Sequence, residues 1–266
     1  MKKIFIISLF LQFIFCVAQE NSASKNVSTF TIESKKLKSI KKIWVYLPEN
    51  YATSTKKYPV IYMHDGQNLF DAKTSYVGEW NVDETLDSIH AQVIVIGIEH
   101  GGDKRIDELT PCKHPKYNGG NADSYLDFIV NTLKPEIDQK YRTKTNAKNT
   151  AIFGSSLGGL VSFYAALKYP NVFGKVGCFS PSFWFCRDEL NQLMTKNKEF
   201  DTKIYFLCGD NEGDDDVIRD METVEKWVNT KRCECKKKNK KVIVKGGQHN
   251  EKLWREHFKK AYLWLF

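Results

Sequence analysis

The chain reads as an α/β protein with a doubly wound, mostly parallel central sheet of about eight strands and helices on both faces. Three observations predict this. Short apolar or β-branched runs alternate with amphipathic runs along nearly all of the 266 residues, the order that builds βαβ crossovers. The later short runs are continuously apolar, as strands must be when helices cover both faces of a sheet. No Pro/Gly-rich linker or internal repeat divides the sequence, and 42% hydrophobic content over this length can bury one substantial core.

The elements follow in order. MKKIFIISLFLQFIFCVAQE carries Lys2 and Lys3, an apolar run too short to cross a bilayer comfortably, and the small residues Cys16, Val17 and Ala18. This predicts a signal peptide over 1–18, cleaved after Ala18, and a periplasmic or secreted location. Phe15 before Cys16 argues against a lipoprotein signal, which prefers a small residue there. A polar stretch, 19–28, then leads into a single domain, 29–266. Runs 29–34 and 42–48 alternate in polarity and are expected as an antiparallel hairpin at the sheet edge. Further strands are expected at 58–63, 93–98, 150–153, 174–179, 203–208 and 241–245. Helices are expected at 82–90, 122–140, 157–169, 184–195, 215–230 and 251–265. In 122–140, Tyr125, Leu126, Ile129, Leu133 and Ile137 make one apolar stripe at spacings of three and four. No segment after the signal is long and apolar enough to span a membrane.

The formal charge of +8 loses the two signal lysines to leave +6 on the mature chain. The most basic segment, KRCECKKKNKK at 231–241, has no interleaved aromatic residue on which a base could stack, so nucleic acid is not expected as a partner. It reads as a solvated helix end and loop. Cys112, Cys178, Cys186, Cys208, Cys233 and Cys235 remain in the mature chain, so disulfides are permitted without a pairing being specified. Cys178 and Cys208 fall in apolar strand runs and read as small hydrophobes. Cys233 and Cys235 lack nearby ligands to complete a zinc set.

The sharpest chemical signal is NTAIFGSSLGGLVSFYAAL at 149–167, where Gly154, Ser155, Ser156, Leu157 and Gly158 spell G-x-S-x-G between a strand and a helix. That context suits a nucleophilic serine on a tight turn, with glycines relieving backbone crowding. Ser156 is the central serine and Ser155 reads as scaffold. The bland alternative is a small-residue helix start packed on the sheet.

A hydroxyl needs a base and an orienting acid. His90 and His257 belong to helices and His114 lies between prolines in a polar loop; His64 and His100 follow strands but precede Ser156, the wrong chain order for this turn. His249, in GGQHNEKLW directly after the last strand, is left as the base. The penultimate strand leads into GDNEGDDD, offering Asp210, Glu212, Asp214, Asp215 and Asp216 as acids. Most of these are expected to be solvated charges or helix N-terminal acids. A calcium site is disfavoured because the run merges into a helix.

These residues resemble the putative esterase family, which includes esterase D, the enterochelin esterases and the feruloyl and acetylxylan esterases, all α/β-hydrolases. The resemblance covers nearly the whole mature chain and rests on YMHDGQNLFD (62–71), GEWNVDETLD (78–87), RIDELTP (105–111), YLDFIVNTLKPEIDQKYRT (125–143), GSSLGGL (154–160), SPSFW (180–184) and GGQHNEKLW (246–254). It implies Ser156 as nucleophile, His249 as base and, three residues after Gly209, Glu212 as acid, with Asp210 as runner-up. It also implies an oxyanion hole from the backbone N–H groups of Leu157 and Gln67. His64 and Asp65 in the same loop read as turn-shaping residues. No cofactor or metal is implied.

The short connection after SPSFW leaves little room for a lid, so the site is expected to be open to a bulky ester. The long connection 99–121 suggests functional use. Arg105, Glu108, Tyr117 and Trp184 are candidates to line the cleft; alternatively Arg105 and Glu108 form a structural ion pair. The leading expectation is an exported carbohydrate esterase removing acetyl or feruloyl groups. A siderophore esterase is the second, and a non-catalytic α/β-hydrolase-like binding protein the third.

Overall fold

The computed structural model describes residues 21–213, 216–231 and 239–266. The expected signal peptide (1–18), Asp214, Asp215, Cys233 and Cys235 lie outside them. Strands β1 (Val27–Ser34) and β2 (Ser39–Tyr46) form the expected antiparallel hairpin, and β2 continues antiparallel onto β4 (Ile94–Ile98). From β4 the sheet is parallel through β3 (Val60–His64), β5 (Thr150–Ser155), β6 (Lys175–Phe179), β7 (Lys203–Gly209) and β8 (Asn239–Val244). The spatial order is β1-β2-β4-β3-β5-β6-β7-β8. The chain leaves β3 for β4 on one side and returns to β5 on the other. That reversal opens a crevice at the carboxyl ends of β3 and β5, where sheets of this kind bind ligands.

Among the described residues there are eight α-helices: α1 (Val82–Ser88), α2 (Arg105–Leu109), α3 (Ala122–Phe128), α4 (Lys134–Lys140), α5 (Leu157–Lys168), α6 (Arg187–Lys196), α7 (Asp216–Thr230) and α8 (Glu251–Leu265). The period-two geometry of a strand sends alternate side chains to opposite faces, which accounts for the uninterrupted apolar runs. On β7, Ile204, Phe206 and Cys208 join one core with Val161 of α5, Leu190 of α6 and Met221 of α7. Tyr205 and Leu207 join the other with Leu86 of α1 and Trp254 and Phe258 of α8. Each such side chain, fully buried, contributes about 1.5–3 kcal/mol relative to exposure. Cys178 and Cys208 are buried free thiols, as expected of strand hydrophobes.

Helix 122–140 is not uniform. It widens into a π turn over Ile129–Leu133, two residues ahead of Pro135. A proline inside an α-helix removes one hydrogen bond and collides with the carbonyl four residues back; the wider turn relieves the collision. The stripe Tyr125, Leu126, Ile129, Leu133 and Ile137 stays fully buried. Among the local elements not anticipated are α2, inside the long 99–121 connection, and a 3-10 turn over Phe183–Cys186 where the next helix was expected to start.

Candidate active site

Ser156 stands between β5 and α5 with φ 57° and ψ −123°, a conformation an L-residue holds at a cost of about 1–3 kcal/mol. The turn is tight because Gly154 lets the strand and helix backbones meet. A Cβ at Gly154 would lie 2.6 Å from the Gly158 carbonyl carbon. Strong packing of α5, buried from Leu157 to Leu167, holds the strained residue in place. Ser156 N–H donates to the Phe179 carbonyl at 2.9 Å, and the Ser156 carbonyl accepts from Ser182 N–H at 3.1 Å. The hydroxyls of Ser156 and Ser182 share a hydrogen bond at 3.1 Å.

The loops after β7 and β8 carry the acid and the histidine, and they cross in contact. A Cβ on Gly209 would come 2.0 Å from the Gly247 carbonyl oxygen, so only glycine permits the crossing. Across it, His249 Nδ1 lies 2.9 Å from Glu212 Oε2. A carboxylate only accepts, so in the neutral imidazole Nδ1 carries the proton and Nε2 keeps its lone pair. Glu212 Oε1 accepts from Gly209 N–H and from the Ser180 hydroxyl, each at 2.6 Å, and Ser180 in turn accepts from Trp254 Nε1–H at 2.8 Å. Burial alone would raise the Glu212 pKa; the hydrogen bonds from His249, Gly209 and Ser180 outweigh it and lower the value. The Glu212 side chain is 1% exposed and that of His249 is 32% exposed. Asp210 points elsewhere and accepts from Gly246 N–H at 2.6 Å.

On the opposite side of the crevice, Asp65 adopts a left-handed conformation that starts the 3-10 turn Gly66–Asn68. The residues that lead into this turn lie against α5: a Cβ on Gly158 would sit 3.4 Å from His64 Cβ and 3.6 Å from Asp65 Oδ2. The N–H groups of Gln67 and Leu157 have no acceptor among the described residues, leaving two unused donors, that of Leu157 at the N-terminus of α5, where negative charge is favoured.

Arg105 grips Asp65 with two parallel hydrogen bonds, Nε to Oδ1 at 2.7 Å and Nη2 to Oδ2 at 2.8 Å. Burial pushes the Asp65 pKa up, but the guanidinium overrides that and lowers it. The alternative of an Arg105–Glu108 ion pair does not form among the described residues: the left-handed turn presents Asp65 to Arg105. Glu108, 3% exposed, pairs instead with Lys41 of β2 and accepts from Gly101 N–H. It lines a separate cavity of about 630 Å³ with Lys41 and His100, so the expectation that it lines the serine cleft is also corrected. Tyr117 and Trp184 do meet, with ring centroids 6.4 Å apart, two residues beyond Ser182.

His64 is buried, with Nδ1 2.8 Å from the Tyr125 hydroxyl. Desolvation is the largest influence and lowers its pKa to about 4, with Asp65 opposing and Arg105 reinforcing. The unfolded imidazole takes up a proton near pH 6.5 that the folded one refuses, so the stability attached to neutral His64 is complete above that pH and lost as pH falls towards 4. Thermal melts should lose Tm across that window, and His64→Gln should flatten the loss; equal slopes in both proteins would refute this.

No local pattern gives Ser180 or Ser182 a role. Their only signal was the segment SPSFW, whose two serines reach Glu212 and Ser156 through contacts made after folding. The sequence also left the cysteine pairing open; Cys112 and Cys186 form a disulfide. Among the described residues these two sulfurs and Glu189 come together as metal-type ligands, but the sulfurs are committed to each other.

A strained serine at the topological reversal, with a histidine–carboxylate pair on the loops after β7 and β8, defines the chain as an α/β-hydrolase. Residues 34–265 match the family described as Putative esterase, and the chain belongs to that family of serine hydrolases. Among relatives, it is 29% identical over 243 residues to the uncharacterized protein YbbA of Bacillus subtilis (strain 168), covering 84% of this chain and 91% of that one. It is 29% identical over 151 residues to a siderophore triacetylfusarinine C esterase of Aspergillus fumigatus, covering 53% of this chain and 50% of the relative. A third, an endo-1,4-beta-xylanase/feruloyl esterase of Xylanibacter ruminicola, is 22% identical over 250 residues, 91% of this chain and 31% of that longer one. The crystal structure of BES protein from Bacillus cereus is similar with a TM-score of 0.74 at 19% identity, covering 94% and 99% of the two chains; it shares the fold.

Proposed function

We propose that this esterase works by a Ser156–His249–Glu212 triad. The observation that carries the proposal is the 2.9 Å His249–Glu212 bond, formed on the loops that follow β7 and β8 with the strained Ser156 on the turn after β5. Substrate entry would turn the Ser156 hydroxyl from Ser182 towards His249 Nε2, as catalytic hydrogen bonds often tighten only with substrate bound. His249 then takes the hydroxyl proton as Oγ attacks the ester carbonyl. The oxyanion falls between the N–H groups of Gln67 and Leu157. Collapse expels the alcohol, which takes the proton from His249, and water activated by the same imidazole releases the acid.

For the substrate, the leading reading is a carbohydrate ester bearing acetyl or feruloyl groups. It is supported by the feruloyl esterase relative and by a β6–β7 connection built only from a 3-10 turn and α6, which leaves the mouth uncovered. The siderophore esterase relative supports an ester-linked siderophore as the second reading. A non-catalytic binding protein would have no use for a strained serine opposite a histidine–carboxylate pair. The Cys112–Cys186 disulfide supports export to an oxidising compartment.

A fluorophosphonate ester should add its mass to Ser156, read by peptide mass spectrometry; an unlabelled Ser156 overturns the triad. The intact mass of the same sample, recovered outside the cytoplasm, should begin at Gln19, and a chain beginning at Met1 overturns the export reading.

A further inference from the structure

Two residues beyond Ser182, which bonds Ser156, begins a group of rings that the triad does not use. Tyr117 and His114 stack with centroids 4.9 Å apart, Trp184 stands edge-on to both at 6.4 and 6.1 Å, and Phe185 lies 4.9 Å from His114. Phe185 is buried, whereas Tyr117 is 39% exposed and His114 and Trp184 are half-buried, so the group has a packed base and an accessible face.

Its distance from the reacting atom is limited by the chain. Ser182 bonds Ser156 through both backbone and hydroxyl, and two residues span at most about 7 Å, which bounds the step from Ser182 to the Trp184 backbone.

The face is rigid for three separate reasons. His114 and Asn118 exchange backbone hydrogen bonds at 2.8 and 2.9 Å, closing the loop that presents Tyr117. Gly120 N–H donates to Thr110 Oγ1 at 3.1 Å, fixing the loop base. The Cys112–Cys186 disulfide ties this loop to the turn that carries Trp184, across 74 residues of sequence. A preformed face binds a flat group without the cost of ordering side chains. Its rim is basic: Lys113 and Lys116 are exposed, and Lys116 Nζ lies 5.0 Å from the Tyr117 ring.

We propose that Tyr117, His114 and Trp184 form a disulfide-braced subsite for a hydroxylated aromatic ring in the ester substrate. A phenolic ring offers both a π face for the shelf and acceptor oxygens for the basic rim. This rests on the esterase reading and deepens it: the same ring chemistry occurs in a feruloyl group on a polysaccharide and in a catecholate triester. Preference for the ring over acetyl is set by the shelf rather than by the triad.

The test compares kcat/KM for methyl ferulate, a catecholate triester and 4-nitrophenyl acetate in wild type, Trp184→Ala, Tyr117→Ala and the Cys112→Ala/Cys186→Ala double variant. The ratio of aryl to acetyl kcat/KM should fall about tenfold in each ring variant, the effect of losing one aromatic contact, and in the same direction in the cysteine variant. The better aryl ester identifies the source of the ring. Calorimetric binding of ferulate and 2,3-dihydroxybenzoate to wild type and Trp184→Ala runs alongside and needs no turnover. Ratios and ring affinity unchanged in Trp184→Ala overturn the subsite. A lowered ratio in the ring variants with an unchanged one in the cysteine variant overturns the brace. Ring binding lost in Trp184→Ala, in a protein that hydrolyses no ester, keeps the subsite and overturns the esterase reading.

Discussion

Ser156→Ala should lower kcat/KM for a short nitrophenyl ester by about 10⁴- to 10⁶-fold, the scale on which serine nucleophiles fail when their oxygen is removed. The loss is chemical. Alanine keeps the Cβ and the same strained backbone, Gly154 still lets strand and helix approach, and the buried face of α5 is untouched. The melting temperature should therefore stay close to wild type, with only the Ser182 hydroxyl losing a partner. Residual turnover reports what the two free N–H donors and substrate binding accomplish alone. Hydrolysis within tenfold of wild type, in protein free of contaminating esterase, would sink the triad.

His249→Ala should cost nearly as much, about 10⁴-fold or more, because the members of a triad act as a unit. For the same reason the Ser156→Ala/His249→Ala double variant should be no slower than Ser156→Ala alone; multiplied losses would show that the two residues act independently. Glu212→Gln tests the third member, with a loss of about 10³- to 10⁴-fold expected, since an amide can donate to Nδ1 and leave the proton on the wrong nitrogen. It also alters stability in a pH-dependent way. The folded pKa of Glu212 is depressed, so its contribution is present above the unfolded carboxyl value of about 4.3 and is lost as pH falls through the lower folded value. The Tm gap between wild type and Glu212→Gln should narrow on acidification below about pH 4; a gap that widens there contradicts the assigned direction.

Much of this was legible without coordinates because it is encoded locally. A continuous apolar run such as 203–208 implies a strand buried on both sides, and a polar–apolar alternation such as 29–34 implies an exposed edge. Each reading needs only the neighbours two residues away. Ser156 and His249 stood out for a related reason: a small-residue turn between strand and helix, and a histidine directly after the last strand, are positions along the chain. The π turn at Ile129–Leu133 was hidden because the apolar stripe continues through it, while the proline that provokes it is also tolerated in a first helical turn.

The sequence by itself determined the α/β class, the order of strands and helices, and the chemical types available at the strand ends. Only the tertiary structure decided which of those groups meet. Asp210 and Glu212 are two residues apart and indistinguishable in pattern, yet the crossing of Gly209 with Gly247 brings His249 to Glu212 and leaves Asp210 on the turn at Gly246. Arg105 takes Asp65 rather than the nearby Glu108, and Cys112 takes Cys186 from 74 residues away. Periodicity is a property of a dozen consecutive residues, whereas a hydrogen bond or disulfide between loops depends on where the twisted sheet delivers their ends.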